Sequence, residues 1–173
     1  MKARQREARA TGEEMAEMYM VTATIDTILC LENMEVVGAY LANKLTKSGV
    51  LSKNAHKTIY IVSPEYDTSG QLIFRENTQH MIKGKNVLVL TATVSTGSAL
   101  SSALESIGYH DGHVIGVSAI FSAATKVMGI PISTLYSTSD LPDYHSCTPE
   151  SCPLCREHVK VDAICNGFGY NTL

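Results

Sequence analysis

What this chain lacks narrows its work before any motif is read. It has no basic excess: 14 Lys and Arg stand against 17 Asp and Glu, for a formal net charge of -3. A surface that holds a nucleic-acid backbone needs the opposite balance, so no nucleic-acid partner is expected. No apolar run approaches the ~20 residues of a membrane-spanning helix, so no membrane partner is expected either. The opening stretch, MKARQREARATGEEMAEMY, has no apolar core of a secretory signal. Cysteines are few and odd in number: five, two of them spaced CxxC, which reads as cytosolic thiols or ligands rather than a disulfide framework. Repeats and low-complexity segments are absent. With 45% hydrophobic and 18% charged residues, most of the chain has the composition of an ordered core. The expectation is a cytoplasmic protein whose residues 1–173 form a single domain with a sizeable core. Within it, residues 1–19 are an N-terminal helix and 143–173 a Cys/His-containing tail.

What is present alternates. Ala8, Met15, Ala16, Met18 and Tyr19 recur at helical spacing. The first turns of that helix carry Lys2, Arg4, Arg6 and Arg9, the wrong sign for the positive end of a helix dipole. They read as a solvated face or as an anion-binding arm. Residues 25–31 form a short apolar strand. Glu35–Lys47 follows as a helix with Val36, Val37, Tyr40, Leu41 and Leu45 inward and Gly49 just past its end. TIYIV at 58–62 is a β-branched strand. The polar stretch 63–84, broken by an apolar cluster at 72–74, reads as a long loop or a hairpin. NVLVL at 86–90 is a strand, 91–97 a loop of small residues, and 98–107 a helix closed by Gly108. HVIGVSAIF at 113–121 is a strand, and a short helical piece leads to a last strand at 132–136. Such alternation implies right-handed crossovers and an α/β fold with a mainly parallel central sheet flanked by helices. After Pro142 the composition shifts to Cys, His and turn residues, the mark of an irregular Cys-rich tail packed against the domain.

Ligands of such sheets sit beyond the carboxyl ends of the strands, where the 91–97 loop lies. Small residues let successive N–H groups point inward, the next helix adds its dipole, and Ser95, Thr96 and Ser98 add hydroxyl donors. That set suits a phosphate monoester. The loop is neither a Walker A sequence nor a GxGxxG fingerprint. The plainer alternative is an ordinary strand-to-helix turn capped by Ser or Thr.

Four apolar residues, two usually acidic positions and a Thr/Ser-Thr-Gly-Gly/Ser-Thr loop make up the phosphoribosyl-diphosphate (PRPP) signature of type I phosphoribosyltransferases, and VLVL-TATVSTGSA resembles it. Thr96 and Gly97 match it, and Ser95, Ser98 and Ala99 are mild variants. Residues 26–45 look like the family's first strand, diphosphate loop and helix. Residues 116–136 and the terminal CPLC…VDAICNGFGY stretch look like orotate phosphoribosyltransferase relatives. The resemblance implies a glycosyltransferase of pyrimidine nucleotide metabolism that uses Mg²⁺ and is often a homodimer. Ser95, Thr96, Gly97, Ser98 and Ala99 would hold the 5-phosphate of PRPP or of a nucleoside 5-monophosphate. Glu32, Asn33, Met34 and Glu35 would border the diphosphate.

The same motif departs from the family where chemistry is done. Its two acidic positions, which in the family hold the ribose hydroxyls and assist an oxocarbenium-like transition state, are Thr91 and Ala92. Losing that charge is expected to cost several kcal/mol of barrier. LENME replaces a Gly-rich diphosphate turn, and its two carboxylates repel a diphosphate unless Mg²⁺ bridges them. Glu32 and Glu35 read as substitute metal ligands, or Glu35 as a dipole partner in the first helical turn. SPEYDTSG at 63–70 lacks the Lys and His of the orotate enzymes' mobile loop, leaving Arg75, Lys83 and Lys85 as the nearest cations. No charge stands at Phe121 and Ser122, where those enzymes help read the base. No catalytic residue can therefore be assigned. Two functions stay open: an orotate-type transferase, and a phosphate- or nucleotide-binding regulatory homologue without brisk turnover.

In the tail, His145, Cys147, Cys152, Cys155 and His158 are ligand types for Zn²⁺, with Cys152 and Cys155 the spaced pair. Cytosolic thiols are the alternative. The CxxC neither follows an expected strand nor opens an expected helix, unlike a thioredoxin motif. Cys30 and Cys165 read as small buried hydrophobes.

Overall fold

The computed structural model describes residues 4–68, 71–147, 150–166 and 169–173. Lys2, Ser69, Gly70, Gly167 and Phe168, each part of a stretch read above, lie outside them.

The chain runs α1 (Gln5–Glu17), β1 (Thr27–Cys30), α2 (Glu35–Lys47), β2 (Tyr60–Val62), β3 (Glu65–Tyr66), β4 (Leu72–Ile73) and α3 (Glu76–Gln79). It continues through β5 (Asn86–Val94), α4 (Ser98–Tyr109), β6 (His113–Ser122), β7 (Lys126–Val127) and β8 (Ile130–Ser137) to α5 (Pro153–Arg156), β9 (Ala163–Asn166) and β10 (Gly169–Thr172). Six strands form the central sheet in the order β2-β1-β5-β6-β8-β7. All neighbours pair parallel except β7, which returns antiparallel on β8.

Two apolar layers sandwich that sheet, and strand alternation assigns each side chain to one of them. Leu88 and Leu90 of β5, with Ile28 and Cys30 of β1, face Met15, Val37, Leu41 and Leu45 of α1 and α2. Val87 and Val89, with Leu29, face Leu100, Ala103, Leu104 and Ile107 of α4. A strand covered on both faces must be apolar at every position, which is why NVLVL shows no polar alternation. The two helices of the first layer approach closely at Gly12, where a Cβ would lie 2.6 Å from the Val37 carbonyl oxygen.

The parallel α/β architecture is the expected one, with local corrections. Helix α2 has the expected bounds and Gly49, at φ +54°, follows its cap, but Val36 is exposed. Strand β2 begins at Tyr60, and the 63–84 stretch holds a β3–β4 hairpin and the short α3. Strand β5 continues through Thr91–Thr93 to Val94, because those residues pair with Ala119, Phe121 and Ser122 of β6. Gly108 lies inside the last turn of α4 rather than beyond it. The expected helical piece before residue 129 is strand β7, held by ladder bonds to β8. The tail is not packed as expected: β9 and β10 pair only with each other, and Val161, Ile164, Tyr170 and Leu173 are exposed. At the other end of the chain, Arg4 and Arg9 pair with Glu7 and Glu13 on the solvent side of α1. Among the described residues no helix is long and apolar enough to cross a membrane.

Candidate functional site

Strands β1 and β5 are neighbours, yet their chains leave in opposite directions. After β1 the chain passes through α2 to β2 on one side; after β5 it passes through α4 to β6 on the other. The two turns part above the sheet and leave a crevice at its carboxyl edge, the place where open α/β sheets bind ligands. A cleft of about 190 Å³ lies there, bounded by Leu31 and Glu32, by Tyr66, and by residues of the 91–100 segment.

The β5–α4 side supplies donors. Gly97 is the N-cap of α4 with φ +81°, and no side chain caps the helix. No Ser or Thr side chain therefore caps the first turn, and glycine, itself an ordinary N-cap residue, leaves its N–H groups without a side-chain acceptor. Ser95, Thr96, Ser98 and Ala99 are exposed around a buried Gly97. A Cβ on Gly97 would come within 3.2 Å of Val127 Cγ2, so β7 backs the loop.

The β1–α2 side supplies an acceptor. Leu31 N–H donates to the Leu90 carbonyl at 2.8 Å, prolonging the pairing of the two strands by one residue. Glu32 and Asn33 then turn with φ +53° and +59°. This swings the Glu32 carboxylate onto the end of β5. Its Oε2 accepts from Thr91 Oγ1 at 2.9 Å, from Ala92 N–H at 2.9 Å and from Thr93 N–H at 3.0 Å. Thr93 Oγ1 donates to Oε1 at 3.4 Å. Thr91 and Ala92, which carry no carboxylate of their own, thus bind the one presented by the neighbouring turn. Burial raises the Tyr66 phenol above its ordinary range, and the Glu32 charge pushes it further the same way.

Of the residues expected at the site, the structure brings Ser95, Thr96, Gly97, Ser98, Ala99, Thr91 and Glu32 to one cleft. Asn33 is exposed beside it, Met34 is fully buried under α2, and Glu35 accepts a 2.5 Å bond from Ser63 Oγ in the first turn of α2. None of the cations named as substitutes lines the cleft. Arg75 is tied to Glu65 at 2.7 Å, Lys83 stands 4.0 Å from Asp111, and Lys85 precedes β5 at the opposite end of the sheet. Phe121 packs edge-on against Tyr144, and Ser122 Oγ donates to the Ala124 carbonyl. Tyr66, Thr93 and Val127 were not singled out by sequence. Tyr66 lay in a stretch read as loop, and Val127 in one read as helix.

Cys152 caps α5, so the CxxC does open a helical turn, though no strand precedes it. Its Sγ accepts the Cys155 N–H at 3.3 Å; the Cys155 thiol and then that N–H lower the Cys152 thiol, and the Cys152 side chain raises those of Cys147 and Cys155. Among the described residues no group of three His, Cys, Asp or Glu is arranged to hold a metal ion. Cys30 is buried, and burial, then Glu35, raises its thiol. Cys165 is exposed, against expectation, because β9 has no partner but β10.

Comparison with known proteins points one way. No family model matches the chain. Over 81 residues it is 30% identical to the orotate phosphoribosyltransferase of Caldicellulosiruptor bescii, a match that covers 46% of this chain and 40% of that protein. The match thus spans well under half of the curated relative. In structure it resembles the orotate phosphoribosyltransferase of Mycobacterium tuberculosis H37Rv, solved with inorganic phosphate, at TM-score 0.57 and 16% identity. That alignment covers 82% of this chain and 76% of the other. The same enzyme with PRPP aligns at TM-score 0.57 and 16% identity, over 81% of this chain and 78% of that one. A phosphoribosyltransferase of Corynebacterium diphtheriae aligns at TM-score 0.54 and 17% identity, over 81% and 84% of the two chains.

Proposed function

For a chain with the type I phosphoribosyltransferase fold and a sequence similar to an orotate phosphoribosyltransferase, we propose that the cleft above β1 and β5 binds the 5-phosphate of PRPP or of a nucleoside 5-monophosphate. The uncapped first turn of α4 behind Gly97 carries this reading. Its N–H groups, the helix dipole and the hydroxyls of Ser95, Thr96 and Ser98 surround a volume that fits a phosphate. Structures with this fold have been solved with phosphate and with PRPP, which supports the same assignment.

The chemistry of the cleft favours binding over turnover. A glycosyl transfer through a developing cation needs fixed negative charge at the sugar. Among the described residues one carboxylate, Glu32, faces the cleft, and it is already held by donors on Thr91, Ala92 and Thr93. Mg²⁺, which the resemblance implies, takes few protein carboxylates together with substrate phosphates and water. Glu32 is the residue that would hold it, and the ion would neutralise charge on a bound diphosphate. A regulatory or nucleotide-sensing homologue with impaired transfer is thus the reading that the residues support best. The orotate-type resemblance adds the expectation of a cytoplasmic homodimer linked to pyrimidine nucleotides.

Calorimetric titration of the full chain with inorganic phosphate, PRPP and nucleoside 5-monophosphates tests the site. Saturable heat with at least one of them is expected. A parallel assay with PRPP, Mg²⁺ and orotate or a purine base tests the chemistry. Absence of binding to every phosphate ligand would overturn the assignment, and rapid turnover would restore the transferase reading.

A further inference from the structure

The phosphate cleft leaves one set of nucleophiles unused, the thiols of the tail. Cys152 is the N-cap of α5 and Cys155 lies on the same turn, its N–H donating to Cys152 Sγ at 3.3 Å. The Cys152 side chain is also a hydrogen-bond partner of the Cys155 and Cys147 thiols. Residues three apart on one helical turn hold their Cβ atoms ~5–6 Å apart. A disulfide needs ~3.5–4.5 Å, so a movement of about 1–2 Å joins the two sulfurs. Residues 153–158 are all exposed, and that movement displaces no buried neighbour. Cys155 is exposed and Cys152 half-buried, so a small oxidant reaches both. Of the other thiols, Cys30 is buried in the core and Cys165 stands apart in β9.

We propose that Cys152 and Cys155 form a peroxide-oxidisable dithiol, a modification site that closes a reversible disulfide within the CxxC turn. The Cys152 thiolate attacks one oxygen of hydrogen peroxide and the O–O bond breaks. A sulfenic acid remains on Cys152, and the departing hydroxide takes up the proton that the thiol released. The Cys155 sulfur then attacks Cys152 Sγ: the S–S bond forms, the S–O bond breaks, and the hydroxyl leaves with the Cys155 proton as water. Two thiols thus give two electrons to one peroxide, and two waters leave. Cys152 takes the first role because the Cys155 thiol and then its N–H hold it below the ordinary thiol range, which favours the reactive thiolate. Cys155 takes the second because the Cys152 side chain raises it, so it keeps the proton that leaves as water. Cys147 also meets Cys152, but it stands outside the turn, whereas the N–H bond fixes Cys155 within it. In a reducing compartment such a pair is a transient sensor rather than a structural bridge. None of these residues lines the phosphate cleft.

The test treats the fully reduced full chain with a small excess of hydrogen peroxide in EDTA-containing buffer and counts its thiols after denaturation. Five free thiols should fall to three, and dithiothreitol should restore all five. Cleavage after Glu150 and Glu157 releases residues 151–157, which hold Cys152 and Cys155 but not Cys147. In the oxidised chain the mass of that peptide should be lower by two hydrogens, a reading that needs no variant to fold. Cys155→Ser should stop the reaction at the Cys152 sulfenic acid, which dimedone captures, and Cys152→Ser should abolish the disulfide. Cys147→Ser should leave the disulfide in place. Five thiols surviving the peroxide, a bond from Cys152 to Cys147, a link between two chains, or a disulfide that persists in Cys152→Ser would each overturn the proposal.

Discussion

Two strand-to-helix turns stand side by side at the carboxyl edge of the sheet, and they are built on opposite plans. The turn after β5 reverses through Gly97 at φ +81°, a conformation open to glycine without steric cost, and leaves its N–H groups and hydroxyls facing outward. The turn after β1 reverses through Glu32 and Asn33 at φ +53° and +59°, where Glu32 is strained by roughly 1–2 kcal/mol and Asn33, which tolerates this region better, by less. What offsets that strain is the carboxylate's set of bonds to the end of β5. One turn is free because of its backbone; the other is fixed because of its side chain. Strain that persists at a non-glycine turn marks a place where the surroundings over-determine the backbone, and such places collect at functional sites. The contrast therefore places the donors proposed to hold a phosphate on one turn and a fixed carboxylate on the other.

The largest effect is expected from removing the freedom of the first turn. Gly97→Val puts a β-branched residue at φ +81° and drives its Cβ against Val127 Cγ2, only 3.2 Å away. The combined backbone and packing penalty is roughly 2–4 kcal/mol. Urea unfolding should report the loss, and phosphate binding should disappear with it. A fully stable Gly97→Val chain would mean that the turn is not held where it is described.

Next comes the lock on the second turn. Glu32→Ala removes the carboxylate that accepts four bonds from Thr91, Ala92 and Thr93 and leaves two positive-φ residues unsupported, a loss of roughly 1–2 kcal/mol because water can reach the partly exposed donors. Thr91→Val is gentler. It keeps the shape of a buried residue and deletes one of those four bonds, for about 0.5–1.5 kcal/mol. The two substitutions share a contact, so their double variant should cost less than the sum of the singles. Strict additivity in unfolding experiments would show that the contact does not form in solution.

How far this contrast could be read from sequence differs between the two turns. Apolar runs at 25–31 and 86–90 announce buried parallel strands because both faces of the sheet are covered. The Thr-Gly pair at 96–97 announces the loop because only a small, positive-φ residue fits its turn. The continuation of β5 through Thr91–Val94 was hidden, since Thr-Ala-Thr reads as loop until β6 is known to pair with it. Glu32 was legible as a carboxylate in the right turn, but its docking was not. That contact joins residues about sixty positions apart and depends on the order of strands in the sheet. Strand β7 was lost for a similar reason, as two residues have no period and are fixed only by β8. The tail misled differently. Its shift to Cys, His and turn residues suggested an irregular segment packed on the domain, yet β9 and β10 pair only with each other, and a two-stranded unit buries little by itself.

The smallest effect belongs to the other residue of the strained pair, and it separates the two causes of the turn's shape. Asn33 is exposed and at φ +59°, and its amide makes no hydrogen bond with the described residues. Asparagine tolerates the left-handed region better than other non-glycine residues, so little strain remains for glycine to relieve. Asn33→Gly also adds freedom to the unfolded chain, which opposes folding by roughly 0.4–1 kcal/mol. The two contributions nearly cancel, and a net change within about 0.5 kcal/mol is expected. If the turn is held by Glu32, Asn33→Gly should leave both stability and phosphate binding close to those of the parent chain. A loss as large as that of Glu32→Ala would instead assign the lock on this turn to Asn33 rather than to the Glu32 carboxylate.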